Sequence, residues 1–179
     1  MSYDPEVFSH YYWHDNAKRH RYSAEVLYEK LSELYEYEDF ENLQELNEKR
    51  SAIFQSYMML IGFALENLIK AVAIKNYLSK GNQIFSFEDL QKKVWRVKNA
   101  HNIGEIAKNC DFPSTEKELD LLNRYSEFVM WAGRYHIPKH KSDYDKAFGD
   151  SRLRRKIGDH LIIESIFSKS NTLLEDNGS

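Results

Sequence analysis

The chain has 179 residues and a mass of 21.3 kDa, a length that suits one domain and leaves little room for two. Hydrophobic residues at 42% and charged residues at 30% exclude general disorder, and 7 Gly with 3 Pro are too few for a loop-rich or many-turned β protein. The single cysteine, Cys110, excludes an internal disulfide and fits a reducing, cytoplasmic compartment, while a net charge of −3 excludes polyanion binding by bulk charge.

No targeting segment is read at the start, Met1-Ser2-Tyr3-Asp4-Pro5-Glu6, which has neither a basic nor an apolar stretch. Residues 1–15 are aromatic and histidine-rich and are expected to lie on the body of the protein. A first helix is predicted from about Asp15 to Tyr37, with Asp15 or Asn16 as N-cap and Ala24, Leu27, Leu31 and Leu34 at helical spacing. The polar stretch from Glu38 to Asn42 is expected to bend or break the chain. A long second helix then runs to about Ser79. Phe54, Met58, Ile61, Leu65, Leu68 and Val72 form one stripe, and Ile53, Tyr57, Leu60 and Ala64 form another beside it. Together they make a face wide enough for the centre of a bundle, so the apolar run Tyr57 to Leu65 reads as core and not as a membrane span. Gly81 suits a left-handed residue past the helix end.

Residues 82–100 show no clear period. A short helix is expected from near His101 to near Cys110. Thr115 and Glu118 have capping-box spacing, and the helix they start carries Leu121, Tyr125, Phe128 and Ala132 on one face until Gly133 and Pro138 end it. A charged connector follows, then a last helix from about Ser151 to Leu174, with Ile157, Ile162, Ile163, Ile166, Phe167 and Leu173 inward. No strand-like alternation and no internal repeat appears. The expected architecture is a single all-α domain over residues 1–179, an antiparallel bundle of about five main helices.

Charge is unevenly placed. Residues 25–48 hold eight Glu and one Asp against one Lys; residues 134–156 hold eight Lys or Arg against three Asp. The acidic run reads as a solvated helix face. The basic run reads either as a solvated connector or as a surface for an anionic ligand.

Three segments carry a resemblance: Gly62-Phe63-Ala64-Leu65-Glu66-Asn67-Leu68-Ile69-Lys70-Ala71, Ala100-His101-Asn102-Ile103-Gly104-Glu105-Ile106, and Trp131-Ala132-Gly133-Arg134-Tyr135-His136-Ile137-Pro138. In order and spacing they resemble the HEPN domain over about residues 50–168, with residues 1–45 as an N-terminal extension. Asn102 stands where the family often has Asp, and His136 where it often has Pro, here delayed to Pro138. The resemblance implies a four-helix core, frequent homodimerisation, and Glu66, His101 and Tyr135 as structural motif residues. It also implies RNA or nucleotide binding, and in some members metal-independent ribonuclease activity in toxin–antitoxin and phage-defence systems, beside a partner protein encoded nearby. Other members are non-catalytic binding or partner modules.

Those nucleases carry an Arg and, four to six residues on, a His. Arg134 and His140 are separated by five residues, and Arg96 and His101 by four. The Arg134 pair has the better setting, because it opens the basic connector. Arg134 would grip a phosphate with paired N–H donors. His140 would take the proton from a ribose 2′-hydroxyl as a general base, giving a 2′,3′-cyclic phosphate without metal. His136, Lys139, Lys141, Arg152 and Arg155 would add phosphate contacts. Each has a plainer reading: Arg134 and Tyr135 locking a helix end, His140 as a solvated loop histidine. Glu66 and Lys70 make either a surface ion pair or, as apolar neighbours favour, a site where Glu66 faces inward and accepts a hydrogen bond from His101.

Other chemistry fits poorly. His10 with His14, and His136 with His140, are four apart but lack further ligands, and no phosphate-binding glycine loop occurs. No metal or cofactor is inferred. Cys110, Trp13, Trp95 and Trp131 read as packing residues, and Lys18-Arg19-His20-Arg21 either touches a phosphate or decorates the first helix.

Overall fold

In the computed structural model, residues 5–37, 42–132, 140–142, 145, 155, 156 and 158–175 are described. Spacings of three and four between Phe54 and Val72 produce α2 (Leu43–Leu78), an unbroken helix through the middle of the protein. Met58, Leu65, Leu68, Ile69 and Ile74 on it are wholly enclosed. Each such side chain contributes roughly 1.5–3 kcal/mol by leaving water. An 18-residue window of α2 is long and apolar enough for a membrane span, yet 83% of it is buried inside the protein.

Helix α1 (His10–Glu36) follows a single turn of 3-10 helix, Pro5–Phe8. It starts before Asp15 because Ser9 is the cap: its hydroxyl accepts the Tyr11 N–H at 3.2 Å. Trp13 and Lys70 meet near one end of α1, and at the other the Arg50 guanidinium donates to Leu34 O and Tyr37 O. The two long helices are therefore antiparallel.

Beyond Gly81, whose φ is 78°, the chain forms α3 (Phe87–Asp89), which passes directly into a π-helical segment, Leu90–Trp95. Then come α4 (Ile103–Asn109) and α5 (Glu116–Glu127), the latter extended by a π-helical turn, Phe128–Ala132. Thr115 and Glu118 form the reciprocal capping box at the start of α5. The last helix, α6 (Asp159–Glu175), begins later than the expected Ser151, since Arg155 and Lys156 are irregular. Among the described residues there is no strand.

Pairings fix the directions. His14 meets Asn171, Arg21 meets Glu164, and Tyr28 stacks on His160, so α1 and α6 are antiparallel. Lys75 Nζ donates to Leu173 O and Leu174 O, which sets α6 parallel to α2. Arg124 meets Asp159 and Glu118 meets Lys169, which sets α5 antiparallel to α6. The result is an all-α antiparallel bundle of α1, α2, α5 and α6, with α4 packed on α5. The α1–α2 hairpin runs on past the points where α6 begins beside Tyr28 and α5 ends beside Phe54, as an arm sewn by Leu31, Leu46 and Arg50. This arm carries the described part of the acidic run, its carboxylates on the outer faces.

Gly62 lies against α5 and the π-helical turn that extends it. A Cβ there would lie 2.6 Å from Val129 Cγ2 and 3.3 Å from the Tyr125 backbone oxygen. Gly62→Ala is expected to cost about 1–3 kcal/mol, because backbone must move; urea unfolding measures it.

Candidate functional site

The centre of α2 carries Glu66 and Lys70 one turn apart, both facing inward. Glu66 is 5% exposed and Lys70 2%. Lys70 Nζ lies 2.5 Å from Glu66 Oε1, 4.2 Å over the Trp95 ring and 5.2 Å over the Trp13 ring. The surface ion pair considered above is thus a buried one, with its ammonium between two indoles. Trp95 is wholly buried, whereas Trp13 is half-buried and meets it edge-on at 5.2 Å. The Trp131 side chain lies outside the described residues.

On its outer side the Glu66 carboxylate faces His101, whose Nδ1 is 3.2 and 3.1 Å from the two oxygens. Burial pushes the Glu66 carboxyl up, but the bonds to His101 and Lys70 outweigh it and hold it below its ordinary value. Burial pushes Lys70 down and wins, since among the described residues Glu66 is its one charged partner, against two aromatic walls. With Nδ1 turned to a carboxylate, the neutral imidazole carries its proton there and keeps Nε2 as the acceptor. The His101 side chain is 43% exposed, so the buried carboxylate is bonded to a group that reaches solvent.

Local turns put His101 in place. Asn99 Oδ1 accepts the His101 N–H, and Asn102 caps α4 by accepting from Glu105 N. Ile103 N donates to Ser126 Oγ, and Asn99 Nδ2 reaches Met130 Sδ at 3.0 Å. Segments that lie far apart in sequence, around Gly62–Lys70, Asn99–Gly104 and Tyr125–Ala132, therefore meet at one place. Ala132 is the last described residue before the basic connector in sequence.

Of the residues assigned to the connector, Arg134, Tyr135, His136, Lys139 and Arg152 lie outside the described residues. His140 and Lys141 are exposed. Arg155 is half-buried, its guanidinium 4.6 Å over the Tyr28 ring, 5.9 Å from the Tyr57 ring and 3.4 Å from the Tyr28 hydroxyl. Tyr28 thus covers one face of the guanidinium. Lys156 closes the connector, with Nζ 3.0 Å from Asp120 and its backbone N–H donating to Asp159 Oδ2 at 2.8 Å.

That closure rests on a pair the sequence does not advertise. Arg124 makes two bonds to Asp159, of 2.9 and 2.6 Å, with the side chains 2% and 1% exposed. Glu118, the capping-box residue, also takes Lys169 Nζ and Ser165 Oγ from α6. In the patch on α1, Arg19 pairs with Asp15, and Arg21 grips Glu164 and lies 4.4 Å over Phe167. Arg21 is a tie between helices.

His14 Nε2 is bonded to Asn171 Oδ1 at 2.9 Å. Among the described residues no group of three or more His, Cys, Asp or Glu side chains comes together to hold a metal ion. The chain matches no family model, no curated protein and no solved structure.

Proposed function

We propose that this chain is a HEPN-like module that binds RNA or nucleotide phosphates through the connector over residues 134–156, as a cytoplasmic homodimer in a defence or toxin–antitoxin setting. The observation that carries the reading is the meeting of the first two resembling segments with the helix that leads into the third. Glu66 of the first bonds His101 of the second, and Gly62 packs on the helix that leads into the third. The connector, which follows that helix in sequence, holds eight Lys or Arg against three Asp. Arg134 would supply a permanent charge and paired donors for a phosphate, and His140 a base for a 2′-hydroxyl.

The test is binding of a single-stranded RNA by the pure protein in EDTA. Three phosphate contacts would weaken binding about 20-fold between about 50 and about 200 mM salt. Arg134→Ala is expected to weaken it by about 10- to 100-fold, the worth of a charge-assisted hydrogen bond. RNA cleavage in EDTA that disappears in both Arg134→Ala and His140→Ala would add a nuclease activity. Absence of binding at every salt concentration would overturn the reading in favour of a non-catalytic interaction protein. That alternative draws on exposed aromatic side chains such as Tyr11, Tyr22 and Phe85.

A further inference from the structure

A cleft of about 270 Å³ opens where the C-terminal end of α2, the turn after it, the end of the π-helical segment and the end of α4 come together. It lies along α2 from Gly62 by some fourteen residues, about 21 Å at the rise of an α-helix, and is distinct from the root of the connector. Its wall carries three cations, Lys80, Lys93 and Arg96, against one carboxylate, Asp111. Lys93 is held by Asp89 at 2.6 Å. Lys80 and Arg96 make no ion pair or side-chain hydrogen bond among the described residues.

Cations at helix C-termini ordinarily serve the free carbonyls there. Here those carbonyls are already taken. At the end of α2, Lys75 O accepts from Ser79 N, Asn76 O from Ser79 Oγ, Tyr77 O from Asn82 Nδ2 and Leu78 O from Gly81 N. At the end of α4, Ile106 O, Ala107 O and Lys108 O accept from Cys110 N, Phe112 N and Asp111 N. Val94 O takes the Cys110 thiol, and Arg96 O takes Asn109 Nδ2. The backbone carbonyls named here are used, and two charged donor groups are left over against one carboxylate, Asp111. What complements such a wall is a compact ligand that is all acceptor.

The backbone points the same way. Arg96 and Asp111, with φ of 54° and 55°, are the non-glycine residues of positive φ among the described residues, and both are on this wall. Glycine would adopt either conformation without strain, yet both positions carry charged side chains. Arg96 ends the π-helical segment, a geometry that concentrates at functional sites. Cys110 adds no competing anion, because burial pushes its thiol up to about 11.

We propose that this cleft binds a phosphate monoester, the terminal phosphate of a small molecule such as a mononucleotide, with Lys80 and Arg96 as its charged ligands. It stands apart from the connector reading, so either can fail alone. The experiment titrates the full chain with inorganic phosphate, adenosine 5′-monophosphate and adenosine at constant ionic strength, reading calorimetric binding and the thermal midpoint. Phosphate and the monophosphate are expected to bind and to raise the midpoint by about 3–6 °C at tenfold the dissociation constant, and adenosine to do neither. Arg96→Gly relieves the left-handed strain, so the variant is expected to fold with at least the parent midpoint while binding the monophosphate at least tenfold more weakly. Lys80→Ala is expected to weaken binding similarly. Equal binding of adenosine and its monophosphate, or parental affinity in both variants, would overturn the proposal. So would loss of binding in Arg134→Ala with Arg96→Gly unaffected, which would place the phosphate on the connector.

Discussion

Replacing Glu66 with alanine is expected to cost about 3–5 kcal/mol, the usual penalty for stranding one partner of a buried ion pair. Lys70 is 2% exposed and among the described residues has no other carboxylate within ion-pair distance, so its ammonium would be left between Trp13 and Trp95 without that anion. Lys70→Met is expected to cost less, because the Glu66 it leaves still has His101. The double replacement Glu66→Leu with Lys70→Met is expected to lose far less than the two singles combined, since two apolar side chains of similar volume replace two desolvated charges. Urea unfolding of the parent, Glu66→Leu, Lys70→Met and the double variant completes the cycle. A Glu66→Ala protein within about 1 kcal/mol of the parent would show that the pair is not buried in solution.

The same carboxylate sets a pH dependence. In the fold its pKa lies below the 4.5 of the free group, so its contribution is whole above that value and is lost as pH falls through the folded pKa. Glu118 adds in the same window, where burial is outweighed by Lys169 and the Thr115 cap. His10 and His20 act earlier: burial lowers both below 6.5, so stability begins to fall as pH drops below about 6.5. Lys70 acts at the opposite end. Its lowered pKa means that the cost of its buried charge is relieved as pH rises towards 10.5.

The second large effect belongs to Asp159. Asp159→Ala is expected to cost about 3–5 kcal/mol, a large share of the roughly 5–15 kcal/mol that holds a domain of this kind. It would remove both short bonds to the enclosed Arg124 guanidinium and the acceptor for the Lys156 N–H. Asp120, 56% exposed and 3.2 Å from Arg124, is a poor substitute. Asp159→Asn keeps the shape and one acceptor and is expected to lose less. Equal losses in the two variants, measured by chemical unfolding, would argue that charge and not shape matters there.

Much of the fold was legible because its signals are local. The three- and four-residue spacings of α2, the Thr115–Glu118 cap and the glycine at position 81 each state their geometry within a few residues. What escaped obeys other rules. The Leu90–Trp95 segment winds as a π-helix, whose period is longer than 3.6, so no α-helical stripe marks residues 82–100. The first turns of α1 present Tyr11 and Tyr12 to solvent, and without an apolar stripe the start appeared to be at Asp15. The helix begins at Asp159 and not at Ser151 because Lys156, shortly before it, is spent on an ion-pair closure, which leaves no mark in the sequence. The inward turn of Glu66 towards His101 was readable from its apolar neighbours. The Arg124–Asp159 pair, 35 positions apart, was not. Lys80, Arg96 and Asp111 form no motif and become neighbours only when three helix ends converge.

The length of α2 has a mechanical consequence. Its 36 residues contain no proline, and its one interior glycine is wedged against α5. Such a helix behaves as a stiff rod with no hinge. A torque applied at the acidic tip of the arm is therefore transmitted along one backbone past the buried ammonium to the cationic cleft at the far end, so that tip and cleft cannot swing independently.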